Sequence, residues 1–160
     1  MASKALVTPE QYLAAHFERE PELVHGELVE RPLPNKTHGR IQALLVLLLG
    51  RAGYSCTEVR MRIAEDLYRL PDFAFFENEP EGEVPDRPPL LIVEIASPDD
   101  RLIDMLTKFD EYARWGVSNL WLVEPTLREF RTYDHGSLQR VDRFELPQFG
   151  FTITPADLFA

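Results

Sequence analysis

The chain contains a single cysteine, Cys56, in 160 residues. An internal disulfide is therefore excluded, and this usage fits a reducing compartment. The plainest role for such a lone cysteine is that of a small buried hydrophobe. Long apolar runs are missing as well. The longest, Ala43 to Leu49, falls short of the ~20 residues that cross a bilayer. The opening residues Met1-Ala2-Ser3-Lys4 lack the pattern of a signal peptide. Together these absences predict a soluble, cytoplasmic protein with no membrane partner. Positive charge is scarce: 17 Lys and Arg stand against 27 Asp and Glu, a net charge of -10. A protein that grips duplex DNA by its phosphates is usually basic over the binding face. The acidic balance thus works against a nucleic-acid partner. Two features soften the objection: many acids sit in one stretch, Glu77 to Asp86, and a bound metal would neutralise part of an acidic site.

What is present suits one globular domain over residues 1–160, with 44% hydrophobic residues and enough chain for a core. Thr8-Pro9-Glu10 predicts a helix to about Phe17, with Thr8 as N-cap. Glu22 to Glu30 reads as a hairpin turning at His25-Gly26. Thr37 or His38 starts a helix to Leu49 that is apolar almost all round, which predicts burial on several sides. Thr57 to Ala64 alternates as a half-buried strand, and Pro71 to Phe76 and Leu90 to Ile95 read as buried strands. Asp99 or Asp100 caps a helix to Trp115; Asn119 to Val123 is another strand. Arg128–Tyr133 and Gln139–Phe144 predict a second hairpin, and Thr154 starts a last helical turn. Strand runs flanked by helices indicate an α+β (mixed α/β) fold around one central sheet. No repeat, low-complexity segment or linker interrupts it. The segment holding Phe149, Phe151 and Phe159 either packs internally or forms a contact between copies.

Two carboxylates stand out because of where they lie. Glu94 shares a strand face with Leu90 and Ile92, and a glutamate on a buried face must be paired, protonated or metal-bound. Asp72, in Leu70-Pro71-Asp72-Phe73, lies at the entrance of the preceding strand. Neighbouring strands would bring both within reach of one cation, and hard oxygen ligands suit Mg²⁺ or Mn²⁺. Lys108 lies at the edge of the apolar face formed by Leu102, Met105, Leu106, Phe109 and Ala113. A long lysine stem there reaches toward the end of the Leu90–Ile95 strand. The plainer readings are a turn aspartate, an ion-paired structural glutamate and an exposed Asp104–Lys108 helix pair worth ~0.3–0.5 kcal/mol. Arg60 and Arg62 share a strand face, as solvated arginines or as phosphate contacts.

The order of these motifs resembles the PD-(D/E)XK nuclease superfamily, with its restriction-endonuclease-like core. More closely, the chain is similar to the bacterial Uma family. The matching stretches are Glu22–Glu30, Pro71–Phe76, Leu91–Pro98, the series Arg101, Asp104, Lys108 and Tyr112, then Gly116-Val117 and Leu120–Pro125. The superfamily's lysine usually follows the glutamate by two residues, where this chain has Ala96. In the closer family the basic residue moves to the helix, a position that Lys108 matches. His25 stands where the family tends to carry aspartate. The resemblance implies that Asp72, Glu94 and the backbone carbonyl of Ile95 hold Mg²⁺ (or Mn²⁺). It implies that Lys108 positions or deprotonates the attacking water, and that Glu27, the matched hairpin glutamate, adds an acidic group. His38 matches a position that often carries histidine; its plainer role is capping. The implied activity is metal-dependent endonucleolytic hydrolysis of phosphodiesters in DNA, by a homo-oligomer such as a dimer. Two alternatives stay open: an inactive nuclease-fold binding or assembly module, and a hydrolase of small phosphorylated substrates. A Lys108 ammonium beyond ~6 Å from the carboxylates favours the inactive module.

Overall fold

A computed structural model of the protein describes residues 5–160. Its elements run α1 (Pro9–Ala14), β1 (Glu22–Val24), β2 (Glu27–Val29), α2 (Lys36–Leu49), β3 (Tyr54–Cys56), β4 (Met61–Ala64), β5 (Leu67–Arg69), β6 (Phe73–Phe76) and β7 (Leu91–Ile95). After them come α3 (Leu102–Trp115), β8 (Asn119–Glu124), β9 (Glu129–Asp134), β10 (Ser137–Val141), β11 (Phe144–Leu146), β12 (Phe151–Ile153) and α4 (Pro155–Phe159). The main sheet has the order β10-β9-β8-β7-β6-β3 and is mixed: β7 and β8 are parallel, joined by α3, and the other neighbours are antiparallel. A smaller sheet, β2-β1-β5-β4, stands beside it, and β11 pairs with β12. The α+β class expected from the sequence is the class observed.

The main sheet is covered on both faces, which is why its central strands are apolar throughout. Leu91, Val93 and Ile95 of β7 pack with Ile41, Leu45 and Leu49 of α2 and with Leu158 of α4. Ile92 points the other way, onto Met105, Phe109 and Tyr112 of α3. Phe144 of β11 stacks between Trp121 and Phe130, with centroids 4.3 and 4.1 Å away. Phe149, Phe151 and Phe159 pack against the same core, so the C-terminal aromatics turn inward.

Several local expectations shift for physical reasons. Helix α2 buries only the stripe Ile41, Leu45 and Leu49, while Leu47 is 71% exposed, so it is not enclosed on several sides. It starts at Lys36 because the Asn35 side chain accepts the His38 N–H at 2.9 Å. Neither Asp99 nor Asp100 caps α3. Asp100 accepts the Ser97 N–H at 2.7 Å, closing the turn after β7, and Arg101 takes the cap position without a side-chain bond. The long strand at Thr57–Ala64 is broken by Glu58, whose φ is +54°, leaving β3 and β4 around the break. Both hairpins turn on two residues of positive φ, His25-Gly26 and His135-Gly136, as two-residue loops require.

Candidate active site

Antiparallel register brings the two carboxylates together. Phe73 pairs with Val93, so one step outward sets Asp72 opposite Glu94 on the face that α3 covers. Both residues are buried, at 6% and 3% exposure. Leaving such charges unpaired would cost several kcal/mol each. Asp72 Oδ2 accepts the Ile95 N–H at 2.7 Å, and Oδ1 lies 3.3 Å from Arg31 Nη2. The Asp72 carbonyl accepts from Gln42 Nε2 at 2.8 Å, which ties this corner to α2. Glu94 Oε1 accepts the Tyr112 hydroxyl at 2.7 Å and stands 3.9 Å from Lys108 Nζ.

Helix α3 supplies its partners at one helical spacing: Lys108, Glu111 and Tyr112 are i, i+3 and i+4 on the face turned to the sheets. Lys108 Nζ is nearest to Glu22, at 3.2 Å from Oε1. The same oxygen accepts the Leu70 N–H at 3.1 Å. Glu22 stands across from Arg69 on β5, and Arg69 Nη1 donates to Glu22 Oε2 at 2.9 Å. The other edge of that guanidinium grips both Glu111 oxygens, at 2.8 and 3.0 Å. One buried arginine thus locks the small sheet to α3 with fork geometry on one side.

The charges do not cancel. Five carboxyl groups (Glu22, Glu58, Asp72, Glu94 and Glu111) face three full cations (Arg31, Arg69 and Lys108), so the negative excess is one with Glu94 protonated and two with it ionised. Burial pushes the Glu94 carboxyl up to about 8, against the pull of Lys108 and aided by the Asp72 charge. Burial also works to raise Asp72, but His38, the Ile95 N–H and Lys108 outweigh it and hold Asp72 below the ordinary range. Glu22 is lowered too, since Lys108 and Arg69 outweigh burial. Lys108 is raised because the surrounding carboxylates overcome its own desolvation. Two neighbouring acids with pKa values driven apart are a common mark of acid–base sites.

Of the residues singled out from sequence, Asp72, Glu94, Ile95 and Lys108 line one cleft of about 750 Å³, with His38 on its wall. Lys108 lies well inside the ~6 Å over which charges couple strongly. Glu27 does not join them: it opens β2, all of whose residues are exposed, and is not among the residues lining the cleft. Arg60 is held by Glu20 at 2.7 Å, and neither Arg60 nor Arg62 lines the cleft. Residues not anticipated are Glu22, Arg31, Glu58, Arg69 and Glu111. The tripeptide Glu-Leu-Val occurs twice, at 22–24 and 27–29. Local pattern cannot tell which copy is inner. Sheet order decides: β1 lies between β2 and β5, and β2 is at the edge.

This geometry has relatives. Among curated proteins none matches the chain. Among solved structures, the crystal structure of "a putative nuclease belonging to DUF820" from Anabaena variabilis ATCC 29413 has a TM-score of 0.78 at 20% identity. The match covers 96% of this chain and 97% of that one, and at this identity it shows a shared fold. Residues 9–156 match the family Uma2, described as "Putative restriction endonuclease". With nearly its whole length inside that match, the chain belongs to the Uma2 family.

Proposed function

We propose that the protein is a divalent-metal-dependent nuclease that hydrolyses phosphodiester bonds in DNA. The observation that carries this reading is the Lys108 ammonium, 3.9 Å from Glu94 Oε1, with Asp72 in register beside Glu94. The donor set fits a hard divalent cation. Asp72, Glu94 and the Ile95 carbonyl offer oxygen ligands, and once Glu94 gives up its proton the local excess of two negative charges equals the charge of one such ion. A divalent ion at this kind of site supplies Lewis-acid polarisation of the phosphate and a bound water of lowered pKa. The chain's own residues do the rest. Tyr112 orients the Glu94 carboxylate through its 2.7 Å hydrogen bond. The Ile95 N–H fixes Asp72 Oδ2, so the aspartate has one defined rotamer. Lys108, held between Glu22 and Glu94, presents positive charge where the negative charge of a phosphorane would develop, or steers the attacking water. An ammonium this close to the acidic pair also argues against an inactive binding module.

Incubation with supercoiled and single-stranded DNA plus Mg²⁺ or Mn²⁺ tests the reading. Cleavage is expected, with Asp72→Ala and Glu94→Ala each losing at least about 100-fold, the scale on which single electrostatic groups act. Cleavage unaffected by either substitution overturns the site assignment. A second reading, hydrolysis of a small phosphorylated substrate, is favoured by the cleft volume of about 750 Å³, a size typical of small-molecule sites. Turnover of nucleotides without any cleavage of DNA would select it.

A further inference from the structure

We propose that His38 is itself a ligand of the cation, through Nε2, and that the site therefore prefers Mn²⁺-like ions to Mg²⁺. This rests on the metal-dependent reading above and names the ion class of that site. His38 Nε2 is buried and has no hydrogen-bond partner among the described residues. It lies 3.3 Å from Asp72 Oδ1 without meeting hydrogen-bond geometry to that oxygen. An unsatisfied buried polar nitrogen costs ~1–3 kcal/mol. A shared ion would remove that cost. Two ligands ~2.1 Å from one octahedral ion stand ~3 Å apart when adjacent, close to the 3.3 Å separation here. A Glu58 carboxylate oxygen completes the group: ligand atoms of His38, Glu58 and Asp72 all lie within 4.8 Å of one another.

The scaffold around this nitrogen is already fixed. Asn35 caps the first turn of α2 on the His38 N–H, and Gln42, one turn later, holds the Asp72 carbonyl. One helix end thus positions both the imidazole and the aspartate. Arg31 is the competitor. Its Nη2 lies 3.1 Å from Glu58 and 3.3 Å from Asp72, so an incoming ion must displace it from Asp72 Oδ1. An imidazole nitrogen added to carboxylate oxygens favours Mn²⁺ and Co²⁺ over Mg²⁺, which prefers oxygen and water alone.

The test is Mn²⁺ and Mg²⁺ binding by calorimetry to the full chain, with pulsed electron paramagnetic resonance of the Mn²⁺-loaded wild type. Expected are tighter Mn²⁺ than Mg²⁺ binding and a directly coordinated ¹⁴N signal. His38→Ala should lose that signal and about tenfold or more in Mn²⁺ affinity, with Mg²⁺ affinity much less changed. The spectrum is read on the wild type, so a poorly folded variant does not hide the answer. Mn²⁺ that binds without nitrogen coupling, and is lost in Asp72→Ala, overturns the histidine ligand but leaves the metal-dependent reading standing. Failure of the wild type to bind either ion overturns both.

Discussion

Glu94 is the residue whose ionisation matters most for stability. Its folded pKa is raised to about 8 by burial, above the ordinary carboxylate value. Between those values the folded state binds the proton and the unfolded state releases it, so stability falls as pH rises through this window. Each unit of separation corresponds to about 1.4 kcal/mol. The metal-free protein should therefore lose thermal stability from about pH 5 to pH 8, and Glu94→Gln should flatten that slope. A melting series in a chelating buffer checks both; a slope unchanged by the substitution would contradict the assignment. Asp72 and Glu22 act in the opposite sense. Their lowered pKa values give stability that is present above the ordinary carboxylate range and is lost as acid drives the pH down through the folded values. At this scale Glu94 was legible in sequence because an apolar strand gives a charge few exposed positions. Asp72 was legible from its place at the next strand. Glu22 was not, because an identical tripeptide follows it and only sheet order separates the two.

Helix α3 is the element on which the site depends. It joins the parallel strands β7 and β8 and carries Lys108, Glu111 and Tyr112 across to both sheets. Arg69 is the counterpart that anchors it. Replacing Arg69 with Met would leave the half-buried Glu111 without its ion-pair partner and the buried Glu22 with Lys108 as its one remaining cation, at a cost of about 3 kcal/mol. Chemical denaturation measures this directly, and a loss below about 1 kcal/mol would mean the network is not cooperative. The helix stops at Gly116, whose φ of +116° no L side chain adopts easily, with Pro88 only 3.4 Å from where a Cβ would lie. Gly116→Ala should destabilise by about 1 kcal/mol or more, seen in the same assay. Elements of good length were readable from sequence. Helix α3 declared itself by periodicity, α2 by its bounding residues and long apolar run, and β7 by its own apolar run. The three-residue strands β3, β5 and β12 carry too little pattern to be read, and they form only because neighbouring strands supply the hydrogen bonds.

For the whole molecule the net charge of -10 sets how a polyanion can be held. Few phosphates can be neutralised by the chain's own cations near the cleft, so on the proposed function DNA affinity should depend only weakly on salt and strongly on the divalent ion. A binding isotherm repeated over a range of salt concentrations should give a slope of log affinity against log salt of about -3 or shallower. A steep slope would reveal a basic surface elsewhere. The overall layering was legible from the order of elements. The second sheet was not, because β1, β4 and β5 are short and their pairing joins distant parts of the chain.

The clamp at Arg69 also governs when the site comes into being. Its two carboxylate partners are 47 and 42 positions away, on opposite sides of it in the chain. Loops of that length close late relative to local helices and turns. The clamp that ties the small sheet to α3 is therefore completed only after residues from Glu22 to Glu111 have come together. A growing or partly folded chain would carry Glu22, Lys108 and Glu111 and yet lack the fixed geometry that holds them together.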